Sequence, residues 1–133
     1  MAKKIFIIED DTNILYGLQS QFSSDGYEVE IDEGGSNIET IISFLEEFRP
    51  DYIITDLLLP EIDGFELVRL IKENDRLQDS PIFIFTDLSD EDSRRRSDDL
   101  GVDYYFIKND FDIFEFAEKV KRIISRGVSL NLD

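Results

Sequence analysis

Each apolar stretch of this sequence is followed by a group able to do chemistry. Ile5 to Ile8 ends in Glu9-Asp10-Asp11, Tyr52 to Ile54 leads to Asp56, Ile82 to Phe85 ends in Thr86, and Tyr104 to Ile107 ends in Lys108. Carboxylates crowded within a few Å repel one another and hold protons, whereas a divalent cation relieves the repulsion and keeps them ionised. Mg2+ is the natural candidate, because it favours one or two carboxylates with water and phosphate over a closed protein cage. A single acid after a strand is commonly a solvated loop residue or a helix cap, and Asp11 fits that description equally well. The joint arrangement of Glu9, Asp10, Asp56, Thr86 and Lys108 is what singles out a site.

For these groups to meet, the runs that precede them must end on one edge. The four runs are rich in Ile and aromatics and too short for helices, as strands buried on both faces are. A fifth, with Tyr27, Val29 and Ile31 separated by Glu28 and Glu30, alternates like a half-exposed edge strand. Helical spacing lies between them. Leu15, Leu18 and Phe22 follow a cap at Asp11 or Thr12 and precede Gly26. Ile38, Ile41, Ile42 and Leu45 follow a Ser36-x-x-Glu39 capping box and stop at Pro50. Phe65, Leu67, Val68 and Ile71 mark a third helix, and Ile113, Phe116, Ala117, Val120 and Ile124 a last one ending at Gly127. The stretch from Ser89 to Leu100 has helix-start residues but almost no apolar stripe, so a helix there is held weakly by packing.

Strands alternating with helices predict a doubly wound α/β fold, a single domain with a five-stranded parallel sheet and helices on both faces. Placing the alternating strand at an edge favours the order 2-1-3-4-5, with the site beyond the carboxyl ends where strands 1 and 3 meet. The expected division is a domain over residues 1–127 and a C-terminal tail over 128–133.

Composition narrows the chemistry further. The 133 residues carry 14 Lys and Arg against 31 Asp and Glu, a net charge of −17, and no Cys or His. Thiolate, disulfide and histidine-base chemistry are excluded, leaving hard cations bound through oxygen. The negative charge disfavours direct contact with nucleic acid or anionic membrane. The N-terminus, MAKKIFIIEDD, reads as neither signal peptide nor membrane span, so the expected location is cytoplasmic.

Four ordered motifs carry a family resemblance over about residues 3–126. IFIIEDD, DLLLPEIDGFEL, FIFTD and GVDYYFIK resemble the first strand with its acidic pair, the phosphoacceptor loop, the threonine strand and the lysine strand of the receiver domain of two-component response regulators. The resemblance implies a flavodoxin-like receiver fold with Asp56 as the phosphorylated residue. It also implies Mg2+ between Glu9, Asp10, Asp56 and the backbone carbonyl of Leu58. Thr86 and Lys108 would contact the phosphoryl oxygens, and Tyr105 would change rotamer with the signal. The phosphoryl group would come from a sensor histidine kinase or histidine phosphotransfer protein. The output would pass through the fourth helix, fifth strand and fifth helix to an effector protein or an output domain outside this chain, or through a homodimer. This is a signalling acceptor, not an enzyme.

Three places depart from the family pattern. Asp87 follows the threonine where a small residue is usual, and Asn109 follows the lysine where proline is usual, often after a cis bond. A cis bond before Asn109 would cost about 3 kcal/mol, so that bond is either trans in an altered loop or strained. Arg94, Arg95 and Arg96 leave residues 91–133 at a net −2, against −15 for residues 1–90. That contrast suits a solvated helix or a docking or self-association surface. Leu58 and Leu88, two residues beyond the acceptor and the threonine, cannot orient an attacking water, which predicts a long-lived phosphoryl group.

The alternative is a pseudo-receiver, an interaction module that is never phosphorylated. Flavin binding is disfavoured by three acids where a phosphate cradle would be needed. An aspartate-nucleophile phosphatase is disfavoured by Leu58, and no Walker or Gly-x-Gly-x-x-Gly loop is present.

Overall fold

The computed structural model describes residues 2–131, with 127–131 as backbone alone. The strands are β1 (Lys4–Ile8), β2 (Glu28–Asp32), β3 (Tyr52–Thr55), β4 (Ile82–Thr86) and β5 (Tyr104–Ile107). The helices are α1 (Thr12–Ser24), α2 (Ile38–Phe48), α3 (Gly64–Glu73), α4 (Glu91–Asp99) and α5 (Ile113–Asn131), with a 3-10 turn over Lys108–Asp110. All strand pairs are parallel, in the order β2-β1-β3-β4-β5 expected from the sequence.

The sheet separates two apolar cores. Ile5, Ile7, Ile54, Phe83 and Phe85 face α1 and α5, where Phe85 stacks on Phe116 at 3.9 Å between ring centroids. Phe6, Ile8, Ile53, Ile82 and Ile84 face the other way, toward α2 and α3. Strand side chains alternate between faces, so a continuous apolar run supplies both cores at once. Val29 and Ile31 of β2 pack only with the α1 and α5 side, which leaves Glu28 and Glu30 exposed, as their alternation predicts.

The helix ends differ in detail from the sequence reading. Asp11 caps α1, accepting from the N–H groups of Asn13 and Ile14, and Gly26 follows with φ of 89°. For α2 the cap is Asn37, which accepts from Thr40 N–H, rather than Ser36. Asparagine caps as well as serine does, and its neighbour at the start of the apolar stripe wins. The α5 helix continues through Gly127 to Asn131, because one glycine costs a helix only about 1 kcal/mol relative to alanine. The tail expected over 128–133 lies partly outside the described residues. Helix α4 does form, with Ser93 and Ser97 as its buried residues. Among the described residues no peptide bond is cis, and the Lys108–Asn109 step enters the 3-10 turn.

Candidate functional site

Register brings the chemical groups together. Ile8 pairs with Thr55 and Thr86 with Ile107, so Glu9, Asp56 and Lys108 each stand one residue past a paired position on the same sheet edge. The Lys108 ammonium reaches two carboxylates, Asp56 Oδ2 at 2.7 Å and Glu9 Oε1 at 2.9 Å. Glu9 and Asp56 are 2% and 3% exposed. Asp10 is exposed, and one carboxylate oxygen from each of Glu9, Asp10 and Asp56 lies within 4.8 Å of the others.

The remaining carboxylate oxygens are held by backbone. Glu9 Oε2 accepts from Asp11 N–H at 3.0 Å, and Asp56 Oδ1 accepts from Leu58 N–H at 3.1 Å. The Leu58 peptide therefore borders the cluster, while its side chain is 50% exposed. The loop can turn this tightly because Leu58 bridges Asp63 and because position 64 is glycine. A Cβ there would collide with the Leu57 backbone.

Charge and burial oppose each other at this edge. Burial lifts the Glu9 carboxyl to about 7, against the Lys108 and Asp11 hydrogen bonds that favour its charge. For Lys108, burial works against the charge, but the hydrogen bonds and charges of Asp56 and Glu9 together outweigh it and push the ammonium up to about 12. Three carboxylates around one ammonium leave an excess of negative charge on hard oxygen donors. That donor set fits a dication such as Mg2+ and offers nothing to a soft metal.

Thr86 and Tyr105 are joined through the backbone of Leu88, which the sequence does not advertise. Thr86 is fully buried and its Oγ1 accepts from Leu88 N–H at 3.3 Å, pointing to this loop rather than bonding Asp56. The Leu88 carbonyl in turn accepts from Tyr105 O–H at 2.8 Å. The backbone of one residue, Leu88, thus touches both proposed switch residues. Burial, with the Asp90 charge next, raises the phenol of Tyr105 above its ordinary value, so the O–H stays a donor at neutral pH. The Arg94 guanidinium lies 5.5 Å from the Tyr105 ring centroid, linking the ring to α4. Arg94 was visible in the sequence as part of an arginine run, but its ring partner is set by tertiary packing. Asp87 is exposed directly after Thr86.

The arrangement can therefore hold a hard cation and present a buried carboxylate beside an ammonium and a hydroxyl-bearing loop. Among the described residues, no helix is long and apolar enough to cross a membrane.

Comparison with known proteins agrees with this geometry. The family described as response regulator receiver domain matches residues 5–121. Response regulator ArlR of Staphylococcus saprophyticus is 33% identical over 130 residues, which covers 97% of this chain and 56% of that protein. The chain thus spans about half the length of the curated relatives it matches. The signal receiver domain of a signal transduction histidine kinase from Syntrophus aciditrophicus is 34% identical, with a TM-score of 0.77 over 93% of this chain and 91% of that one. The phosphorylated cyanobacterial phytochrome response regulator RcpA is 27% identical, with a TM-score of 0.78 over 92% and 91%. With its sheet order, its acidic cluster and these matches, the chain belongs to the response regulator receiver domain family.

Proposed function

We propose that Asp56 is the phosphoacceptor of a two-component pathway and that Glu9, Asp10, Asp56 and the Leu58 carbonyl hold Mg2+ for the transfer. The observation that carries this reading is the Lys108 ammonium bridging Asp56 and Glu9 within an all-oxygen cluster. The donor is a histidine kinase or histidine phosphotransfer protein. A carboxylate oxygen of Asp56 attacks phosphorus, the P–N bond of the phosphohistidine breaks, and the imidazole leaves with a proton. A carboxylate is a weak nucleophile, so the rate comes from placement and from neutralising the charge on the equatorial oxygens. Bound Mg2+ supplies part of that neutralisation as a Lewis acid. Lys108 also neutralises charge, moving its ammonium from the Asp56 carboxylate to the oxygens of the phosphoryl group now bonded to it.

The Thr86 O–H then gains a charged acceptor, because a phosphoryl group carries nearly two negative charges, and this outweighs the bond its oxygen accepts from Leu88 N–H. Its rotation releases the Leu88 peptide, and Tyr105 loses the fixed position of the carbonyl it binds. The change reaches α4, β5 and α5, and from there an effector, an output domain outside this chain, or a second copy. The cytoplasm is the proposed setting.

Asp87 favours the pseudo-receiver as second reading, since an added carboxylate beside Thr86 repels an incoming phosphoryl donor. Incubation with acetyl phosphate and Mg2+ followed by intact mass separates the two. A gain of one phosphoryl group that needs Mg2+ and disappears in Asp56→Asn is expected. No gain, or an equal gain in Asp56→Asn, overturns phosphorylation at this residue.

A further inference from the structure

Away from the phosphorylation edge, β2 and α2 enclose an open cleft of about 410 Å³ that the proposed transfer does not use. Its origin lies in the edge strand. Val29 and Ile31 pack against the α1 and α5 core, so on the other side β2 borders the cleft with Glu30 and an edge of Ile31, and α2 packs against Phe6 and Ile8 of β1 instead. Space remains between them. Phe6, Phe44 and Phe48 supply aromatic walls, Glu30 and Glu47 the charged rim, and Lys4 one end. Phe44 is 44% exposed, on an α2 helix whose Ile41 and Leu45 are fully buried.

The surroundings define the charge of what can enter. Glu28, Glu30, Asp32 and Glu33 lie on or just after β2, and Glu47 lies on α2. Aromatic faces attract cations as well. One end of the cleft already uses this property, since the Lys4 ammonium lies 5.2 Å from the Phe48 ring centroid and donates to the Phe48 carbonyl at 3.2 Å. The volume falls in the range of ligand clefts, about 300–1,000 Å³. An anionic ligand is repelled, and a purely apolar one leaves the two rim carboxylates facing it without a partner.

We propose that this cleft is a docking site for a partner protein segment that presents arginine or lysine beside an aliphatic or aromatic side chain. The apolar group covers Phe44, and the cation meets Glu30 and Glu47. Glu9 stands three residues beyond Phe6 on β1, so the cleft opens to the side of the sheet rather than at the carboxylate edge. A partner held there leaves Asp56 free for its donor.

The test uses a short fluorescein-labelled peptide alternating arginine and leucine, titrated into the whole chain at physiological salt and followed by anisotropy. Glu30→Gln with Glu47→Gln, and separately Phe44→Ser, are expected to weaken binding about tenfold each. The charge-matched pair Asp79→Asn with Asp98→Asn, away from the cleft, is expected to change it less than about twofold. Backbone amide shifts in nuclear magnetic resonance spectra should cluster at Lys4, Phe44 and Phe48. Absence of binding, equal weakening by both charge pairs, indifference to Phe44→Ser, or displacement by spermidine as effective as by unlabelled peptide each overturns the proposal. Phe44 is exposed, so its replacement leaves the fold intact, which circular dichroism of each variant verifies.

Discussion

Replacing Glu9 by glutamine is expected to stabilise the metal-free protein above neutral pH and to weaken it as a metal binder. Burial lifts the Glu9 carboxyl from 4.5 to about 7, which at about 1.4 kcal/mol per pH unit amounts to about 3 kcal/mol. Below pH 4.5 the group is protonated both folded and unfolded, and it costs nothing. Between 4.5 and 7 the unfolded chain releases the proton while the folded chain keeps it, so stability falls as pH rises. Above 7 the whole cost is present. Glutamine carries no such charge and retains an acceptor for Asp11 N–H, while Lys108 retains Asp56. Urea unfolding in EDTA should therefore show little difference between the two proteins at about pH 4.5 and a gap approaching 3 kcal/mol at about pH 8, in favour of the variant. Saturating Mg2+ at the higher pH should narrow or reverse the gap, because only the natural protein gives the dication a full set of charges. A gap of the same size at both pH values, without Mg2+, would refute the assignment of the cost to a buried, proton-holding Glu9.

Other consequences can be measured separately. Tyr105→Phe removes the donor to the Leu88 carbonyl and is expected to cost about 1 kcal/mol in urea unfolding. It should leave phosphorylation of Asp56 intact while abolishing the change in α4 hydrogen exchange that accompanies it, and an unaltered exchange response would remove Tyr105 from the relay. The phosphoryl group is expected to persist because Leu58 and Leu88 present no polar side chain to a water; loss of label within seconds in Mg2+ would contradict this. Gly64→Ala should lower stability by about 1–3 kcal/mol, since its Cβ meets the Leu57 backbone. An unchanged melting temperature would show that the loop accommodates it.

Much of this architecture can be read directly from the chain. Continuous runs such as IFII and IFIF mark strands covered on both faces, and the Glu28-Val29-Glu30-Ile31 alternation marks one edge of the sheet, while the other edge, β5, reads in sequence as another buried run and is half exposed in the fold. The candidate cluster is legible for a related reason, because Glu9, Asp56 and Lys108 each stand one residue after a strand of a parallel sheet and so come to one edge. Local choices were harder. Asn37 and Ser36 are both competent caps, and which one serves depends on how α2 seats its stripe. Gly127 resembles a terminator, yet its cost is small beside that of ending a helix early. The Leu88 peptide has no signature, since any residue supplies a backbone N–H and carbonyl. The cleft is invisible for a related reason, as it depends on how far α2 stands from β2.

The underside of α4 has one more consequence. Lifting α3 from the sheet would wet Leu67, Val68 and Ile71, whereas lifting α4 uncovers Ser93 and Ser97, one of whose hydroxyls, that of Ser97, lacks a partner when the helix is seated. Water satisfies those hydroxyls at once, so the step forfeits little oil-like contact. The fastenings that do exist are lateral, Arg96 over the Phe65 ring at 3.8 Å on one flank and Arg94 over Tyr105 on the other. The helix is a hatch latched at its sides, so loosening it costs the two arginine–ring contacts and little of the apolar core beneath.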